Sequence, residues 1–288
     1  MESQPAGGSL WIIATPIGSL EDLGPRALEV LAAVDLILAE DTRRARRLLS
    51  SFGIAAGRRL RSLHEHNEEG RIEGVLQELV SGRTAALISD AGTPAISDPG
   101  FLLVRAVRRA GLEVRSVPGP SAFTAALAAA GQPPLPALLV GFLPPRTGSR
   151  RRRIRELAQV EATLVVLLSP HRLSAELADL AAGLGGDREA TLLAEISKRF
   201  ERATAATLGE LEVCAEVGEP RGEYVVVIGP GSHPEPRPVP GPVQAREVYD
   251  GVVAEGLNRR DALREAARRL GVSRRTLYTA LLQDETDK

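Results

Sequence analysis

The sequence predicts an α/β protein made of two consecutive strand–helix arrays followed by a helix-turn-helix module. Three observations carry that expectation. Short continuous apolar runs alternate with segments of helical period from residue 10 to residue 228, the pattern of buried and mostly parallel strands. The run Val117-Pro118-Gly119-Pro120-Ser121 interrupts this alternation midway, and a Pro/Gly-rich stretch over 229–242 interrupts it again. Beyond that stretch, a helical pattern meets Gly271 and restarts at Ser273. The expected division is 1–118, 119–230, a linker over 231–242 and a helical module over 243–288.

In the first array, residues 10–14 read as a buried strand and 25–34 as a helix, with Pro25 suited to its first turn. Strand 36–39, helix 43–52 and short strand 59–63 follow. The next helix, 72–80, stacks Ile72, Val75, Leu76, Leu79 and Val80 on one face. Strand 84–88, helix 101–110 and strand 113–117 complete the array. In the second array, 138–140, 163–168, 190–195 and 224–228 read as strands, and 122–130, 151–160, 172–184 and 208–217 as helices. Residues 199–206 suit a returning, hairpin-like strand, so mixed strand directions are expected there. Six prolines over 229–242 make that linker extended and semi-rigid. In the terminal module Ala266 permits close helix packing, Leu277, Tyr278, Leu281 and Leu282 line the second helix, and Arg274 and Arg275 open it, where phosphates are favoured.

Composition narrows the function classes. The net charge of −1 gives no global basic field, and no apolar run approaches the roughly 18–20 residues of a membrane helix. Cys214 is the only cysteine, which excludes a disulfide scaffold and a thiolate metal site. Residues 1–8 lack the basic and apolar regions of a signal peptide, so a cytoplasmic protein is expected. Lys198 and Lys288 are the only lysines among 36 Lys and Arg residues. An ammonium can lose its proton and a guanidinium effectively cannot, so Lys198 is a candidate for chemistry closed to arginine. Two arginine clusters, Arg146 to Arg155 and Arg259 to Arg275, raise a polyanionic partner.

The polar segments fall where strands end. Thr84 to Ile88 empties into Ser89-Asp90-Ala91-Gly92-Thr93-Pro94-Ala95-Ile96-Ser97-Asp98-Pro99-Gly100, whose Gly and Pro residues fix tight turns beside short carboxylates. Thr15-Pro16-Ile17-Gly18 follows the first strand with a single glycine, so it is neither a Walker loop nor a dinucleotide fingerprint. Glu40-Asp41-Thr42-Arg43 follows the second, where Asp41 or Thr42 equally suits a helix cap. His64-Glu65-His66-Asn67 follows the third, and its His-x-His pair lacks a third ligand pattern, so no metal is expected. Four such loops on one sheet edge build one cleft.

Taken together, 10–23, 39–43, 64–67, 89–100 and 118–121 resemble the RsmI family, bacterial 16S rRNA (cytidine-2′-O)-methyltransferases of the tetrapyrrole-methylase fold class. Residues 165–173 and 194–201 are similar to later family segments, with Leu168, Ser169 and Pro170 standing where the family often has aromatic and acidic residues. The resemblance implies a two-domain methylase, acting as a homodimer on 16S rRNA in the small ribosomal subunit, with S-adenosylmethionine between its domains. It implies cofactor contacts at Asp90, Gly92, Thr93, Ser121, Ala122 and near Leu168, with Pro16 to Gly18 closing the cleft. Lys198 is the first candidate for the hydroxyl proton, as a base with a lowered pKa or as a charge stabilising the alkoxide. Asp41 and Glu40 stand second, as base or ribose anchors. Arg43, His64, His66, Asn67 and Arg172 are candidates for RNA contact. The alternatives are a tetrapyrrole-type small-molecule methylase and a ligand-sensing DNA-binding regulator; the arginine clusters and the helix-turn-helix pattern speak against the first, the long catalytic-looking body against the second.

Overall fold

Continuous apolar strands need helices on both faces, and ten strands meet that need in two five-stranded sheets. The computed structural model describes residues 7–215, 222–231, 242–270, 277, 278 and 281. Both sheets lie in one compact unit, Met1–Gly231, and the terminal helices lie in a second, Ser232–Lys288.

The first array runs β1 (Ser9–Ile13), α1 (Pro25–Ala33), β2 (Leu36–Ala39), α2 (Thr42–Ser51), β3 (Leu60–Ser62), α3 (Glu68–Val80), β4 (Ala85–Ile88), α4 (Phe101–Arg109) and β5 (Glu113–Val117). Its strand order is β3-β2-β4-β1-β5, with every pair parallel. Along β2, Ile37 and Ala39 enter one core with Leu31 and Leu49, while Leu36 and Leu38 enter the opposite core with Leu79 and Leu103. A parallel sheet aims all its strand ends one way, so the loops after β1, β2, β3 and β4 gather on one edge. Helix α3 begins four residues before the expected 72, because Glu68 is buried and its Oε1 accepts the Leu103 amide at 2.9 Å. A buried carboxylate breaks the apolar stripe by which a helix is recognised.

The second array runs α5 (Ala122–Ala129), β6 (Ala137–Phe142), α6 (Thr147–Leu157), β7 (Thr163–Leu168), α7 (Leu173–Leu184), β8 (Glu189–Ala194), β9 (Arg202–Thr207), α8 (Leu208–Ala215) and β10 (Tyr224–Ile228). The order is β6-β7-β10-β8-β9, and only β6 and β7 are parallel. The returning strand is β9, paired antiparallel with β8 from Glu189 opposite Thr207 to Ala194 opposite Arg202. Strand β6 continues past the expected 140 because Gly141 adopts φ +73° at a register shift and pairing resumes through Phe142.

The first arginine cluster needs correction. Arg150 is only 4% exposed, and its guanidinium pairs with the equally buried Asp179 on α7, Nε to Oδ2 at 2.7 Å. Arg151 donates to the other Asp179 oxygen at 2.6 Å. These two residues join α6 to α7; Arg150 is buried there and is not free for a polyanion, whereas Arg151 is 63% exposed.

In the terminal unit, α9 (Pro242–Ala254) precedes α10 (Arg259–Leu270). The sequence pattern marks the helices of this module only from residue 257 onward, because Pro242 closes the proline run; as the first helical residue it loses no hydrogen bond. Ala245, Val252, Ala262, Ala266, Leu277 and Leu281 form the core of this unit. Arg269 bridges Glu255 at 2.7 Å and Glu265 at 3.0 Å, so this arginine serves the module's own packing. The linker residues 232–241 and Gly271, Ser273, Arg274, Arg275 and Leu282 lie outside the described residues.

Candidate active site

The loops leaving β1 and β4, neighbours in the sheet, are tied to each other. Thr15 and Gly92 exchange backbone hydrogen bonds at 2.9 and 3.0 Å, and the buried Thr15 hydroxyl donates to the Ser89 carbonyl at 3.1 Å. The β4 loop is bent hard. Gly92 has φ +80°, and Ala95 and Ser97 hold φ +66° and +67°, a region that costs side-chain-bearing residues about 1 kcal/mol or more. At Gly100, φ is +126°, and a Cβ there would lie 2.4 Å from Leu87 Cδ2. In the loop after β8, Glu195 and Ser197 have φ +56° and +64°. Among the described residues, these four are the non-glycine positions with positive φ; Ser97 lines one cavity and Ser197 lines a separate one.

The β1 and β8 loops also clasp. A Cβ on Gly18 would sit 2.6 Å from the Ser197 carbonyl oxygen and 2.7 Å from Lys198 Cγ, so only glycine allows this approach. The Ser19 amide donates to Ser197 Oγ at 3.2 Å, and Ser197 Oγ donates to Asp22.

Between the two sheets lies a cavity of about 300 Å³. Asp90, Gly92, Thr93, Ser121, Ala122 and Leu168, six of the residues assigned to the cofactor, line it. Pro16 and Gly18 do not; they line a neighbouring cavity that shares Asp90 with the first. The remaining walls are largely apolar, from Ile17, Leu139, Phe142 and Leu167, with Asp98, Glu223 and Tyr224 among the polar side chains.

Carboxylates crowd the β4 side. Asp90 accepts the Asp41 amide at 3.2 Å and pairs with Arg44 at 3.2 Å. Burial, followed by the charge of Glu40, pushes the Asp98 carboxyl up to about 6. Burial and then the charge of Asp90 raise Glu40, against the pull of Arg44 and His64.

Of the expected proton-handling roles, the surroundings of Lys198 and Asp41 disfavour the base and leave the alkoxide-stabilising charge and the ribose anchor standing. The Lys198 ammonium donates to Glu195 at 3.0 Å and pairs with Glu223 at 3.3 Å. Burial lowers its pKa, but these two carboxylates outweigh burial and hold it above its ordinary value. Lys198 thus keeps its charge, as the alkoxide-stabilising alternative requires, and pairs with Glu223 on the cavity wall. Asp41 caps α2, accepting the Arg43 amide at 2.7 Å and the Arg43 guanidinium at 2.9 Å. Those bonds hold its carboxyl far below the usual carboxylate range, so it cannot take a proton near neutrality.

None of the proposed RNA-contacting residues lines the cavity. Arg43 is largely exposed and bound to Asp41. Arg172 is bound to the fully buried Glu176 at 2.9 Å, and Glu176 also accepts the Ser169 amide at 3.0 Å, so Arg172 first shapes the turn after β7. Asn67 organises its own turn, accepting the His64 amide at 2.9 Å and meeting His64 Nε2 at 3.0 Å. His66 stands edge-on to His64 with centroids 6.1 Å apart.

The sequence marks Asp98 only as one of two short carboxylates in the 89–100 segment, with no role of its own, and does not mark Glu223. Asp98 lay inside the segment already singled out, ahead of Pro99-Gly100, and the tight turn was the signal that it faces the cleft. Glu223 precedes β10 with no local signal; its place follows from β10 entering the middle of the sheet.

Comparison with known proteins agrees with this geometry. Residues 9–212 match the family of tetrapyrrole (corrin/porphyrin) methylases. Ribosomal RNA small subunit methyltransferase I of Xylella fastidiosa (strain Temecula1) is 42% identical over 273 residues, covering 94% of this chain and 98% of that one. The protein of the same name from Pseudomonas aeruginosa is 42% identical over 280 residues, covering 96% and 98%. Among solved structures, diphthine synthase superposes with a TM-score of 0.60 at 16% identity, over 77% of this chain and 89% of its own. Uroporphyrin-III C-methyltransferase from Thermus thermophilus, complexed with S-adenosyl homocysteine, superposes with a TM-score of 0.53 at 21% identity, over 77% and 97%. A two-sheet cleft of this topology, together with relatives aligned nearly end to end, means that the chain belongs to the tetrapyrrole methylase family and, within it, to the RsmI family.

Proposed function

We propose that the protein transfers a methyl group from S-adenosylmethionine to the ribose 2′-hydroxyl of a cytidine in 16S rRNA of the small ribosomal subunit. The observation that carries this reading is the cavity between the sheets, walled by apolar side chains and bordered by the carboxylates Asp90, Asp98 and Glu223. Its volume of about 300 Å³ lies at the small end of ligand pockets. The donor set suits the cofactor: carboxylates favour a ligand carrying positive charge, and Ile17, Phe142 and Leu168 suit its apolar parts. S-adenosylmethionine supplies the methyl group as an electrophilic carbon on a sulfonium.

The chain's own residues do the rest. The strained β4 loop and the β1–β8 clasp fix the cleft walls, and fixed orientation of reacting groups is worth roughly 7–11 kcal/mol in model reactions. Asp98, ionised at neutral pH with a pKa of about 6, accepts the 2′-hydroxyl proton as the oxygen would take the methyl carbon from sulfur, which would leave as a neutral thioether. Glu40 holds a negative charge beside it, which sustains that basicity. Lys198 holds Glu223 in place from outside the cavity. The homodimer implied by the resemblance belongs to this reading, and sedimentation of the purified protein tests it.

The tetrapyrrole-type alternative has in its favour the fold shared with uroporphyrin-III C-methyltransferase. The relatives named as ribosomal RNA methyltransferases favour the RNA reading, since their likeness covers 94% and 96% of this chain. The deciding experiment incubates the protein with methyl-labelled S-adenosylmethionine and small ribosomal subunits lacking the modification. Label on a single cytidine ribose is expected. Label absent from RNA but present on an added tetrapyrrole would overturn the reading.

A further inference from the structure

We infer that the second cavity, between the β1 loop and α2, seats a nucleotide of the RNA strand adjacent to the one methylated, with its phosphate on Arg44 and Arg47. The inference rests on the RNA reading above and adds to it a subsite on the first sheet. The cavity holds about 430 Å³, more space than a bare phosphate fills, and it shares the Asp90 wall with the first cavity. A strand with one ribose in the first cleft therefore has its neighbour at the mouth of the second.

The chemistry of the walls is that of a nucleotide site. Pro16, Leu20 and Leu48 present apolar surface, and Leu20 is half-exposed. Arg44 and Arg47 stand three residues apart on α2, hence on one helix face, and both line the cavity. Helix α2 carries four exposed arginines and no acidic residue. Arg43 is neutralised by Asp41 and Arg44 is shared with Asp90. Arg46 and Arg47 have no ion pair among the described residues, and of these two only Arg47 faces the cavity. An unpaired guanidinium over an apolar floor suits a phosphate next to a stacked base. In a chain of net charge −1, local features of this kind must supply the attraction for RNA.

The test uses Arg47→Glu, with Arg46→Glu as the control one residue away and Arg47→Lys as rescue. Each protein methylates small subunits lacking the modification, and calorimetry with S-adenosylhomocysteine reports cofactor-site integrity. Arg47→Glu is expected to raise the KM for subunits at least tenfold with kcat within twofold and unchanged S-adenosylhomocysteine affinity. Arg47→Lys should recover most of the loss, and the salt slope of binding should fall by about one for Arg47→Glu. Arg46→Glu should change KM by less than threefold. Equal effects from both glutamate substitutions would overturn the subsite in favour of diffuse attraction, and an unchanged KM for Arg47→Glu would overturn it outright. A wild-type protein that leaves the subunits unmethylated fails the RNA reading itself, a distinct result.

Discussion

Asp98 lies between burial and the charges of Glu40 and Asp90, all of which disfavour its ionised form. Its carboxyl titrates at about 6 in the folded chain against an ordinary 3.8, so the proton is held more tightly when folded. The associated stability is present below about 3.8 and is lost as pH rises through about 6. Asp98→Asn should therefore stabilise the protein above pH 6, by about 1 kcal/mol once solvent screening of a partly exposed group is allowed for. That corresponds to about 2 °C in Tm. The same substitution should lower kcat about 10²- to 10⁴-fold while S-adenosylhomocysteine still binds. The wild-type rate should rise with an apparent pKa near 6, and a rate flat from pH 5 to 8 would count against Asp98 as proton acceptor. At this scale the sequence is partly legible. The scarcity of lysine drew attention to Lys198, yet its charge state depends on Glu195 and on Glu223, and the latter reaches it only through the sheet. The cap at Asp41 is readable as a cap; its pairing with Arg43 weakens it as a base and leaves the ribose anchor open.

Elements were more legible than residues, because strands buried on both faces announce themselves as unbroken apolar runs. The span 36–39 matches β2, 113–117 matches β5 and 163–168 matches β7, whereas α9 and the start of α3 were hidden by a proline and a buried glutamate. Contacts between elements stayed invisible. Asp179→Ala would leave Arg150 buried and unpaired between α6 and α7, and should destabilise the chain by about 3–5 kcal/mol in denaturant titration. The double change Arg150→Met with Asp179→Leu should recover most of that loss; a double variant as unstable as the single one would show that shape, not charge, governs this contact. The clasp between the β1 and β8 loops is tested by Gly18→Ala. The added methyl must push back Ser197, so affinity for S-adenosylhomocysteine should fall about tenfold, near 1.4 kcal/mol, with the global Tm nearly unchanged. Unaltered affinity would mean the loops part without consequence for the cavity.

At the scale of the whole chain, the two arrays differ in how their strands are ordered. The first sheet is complete once β5 has been made. In the second, β10 comes last in sequence but lies between β7 and β8, and Tyr224 and Val225 on it form part of the cavity wall. Synthesis proceeds from the amino end, so a nascent chain carries β7 and β8 with an empty slot between them until its last strand emerges. Until then the unpaired edges are open to wrong partners. A polypeptide halted at residue 222 should show no affinity for S-adenosylhomocysteine in calorimetry, while one halted at 231 should bind. Ligand competence thus arrives in a single late event during translation, so an interrupted message leaves behind an inert fragment rather than a half-active catalyst.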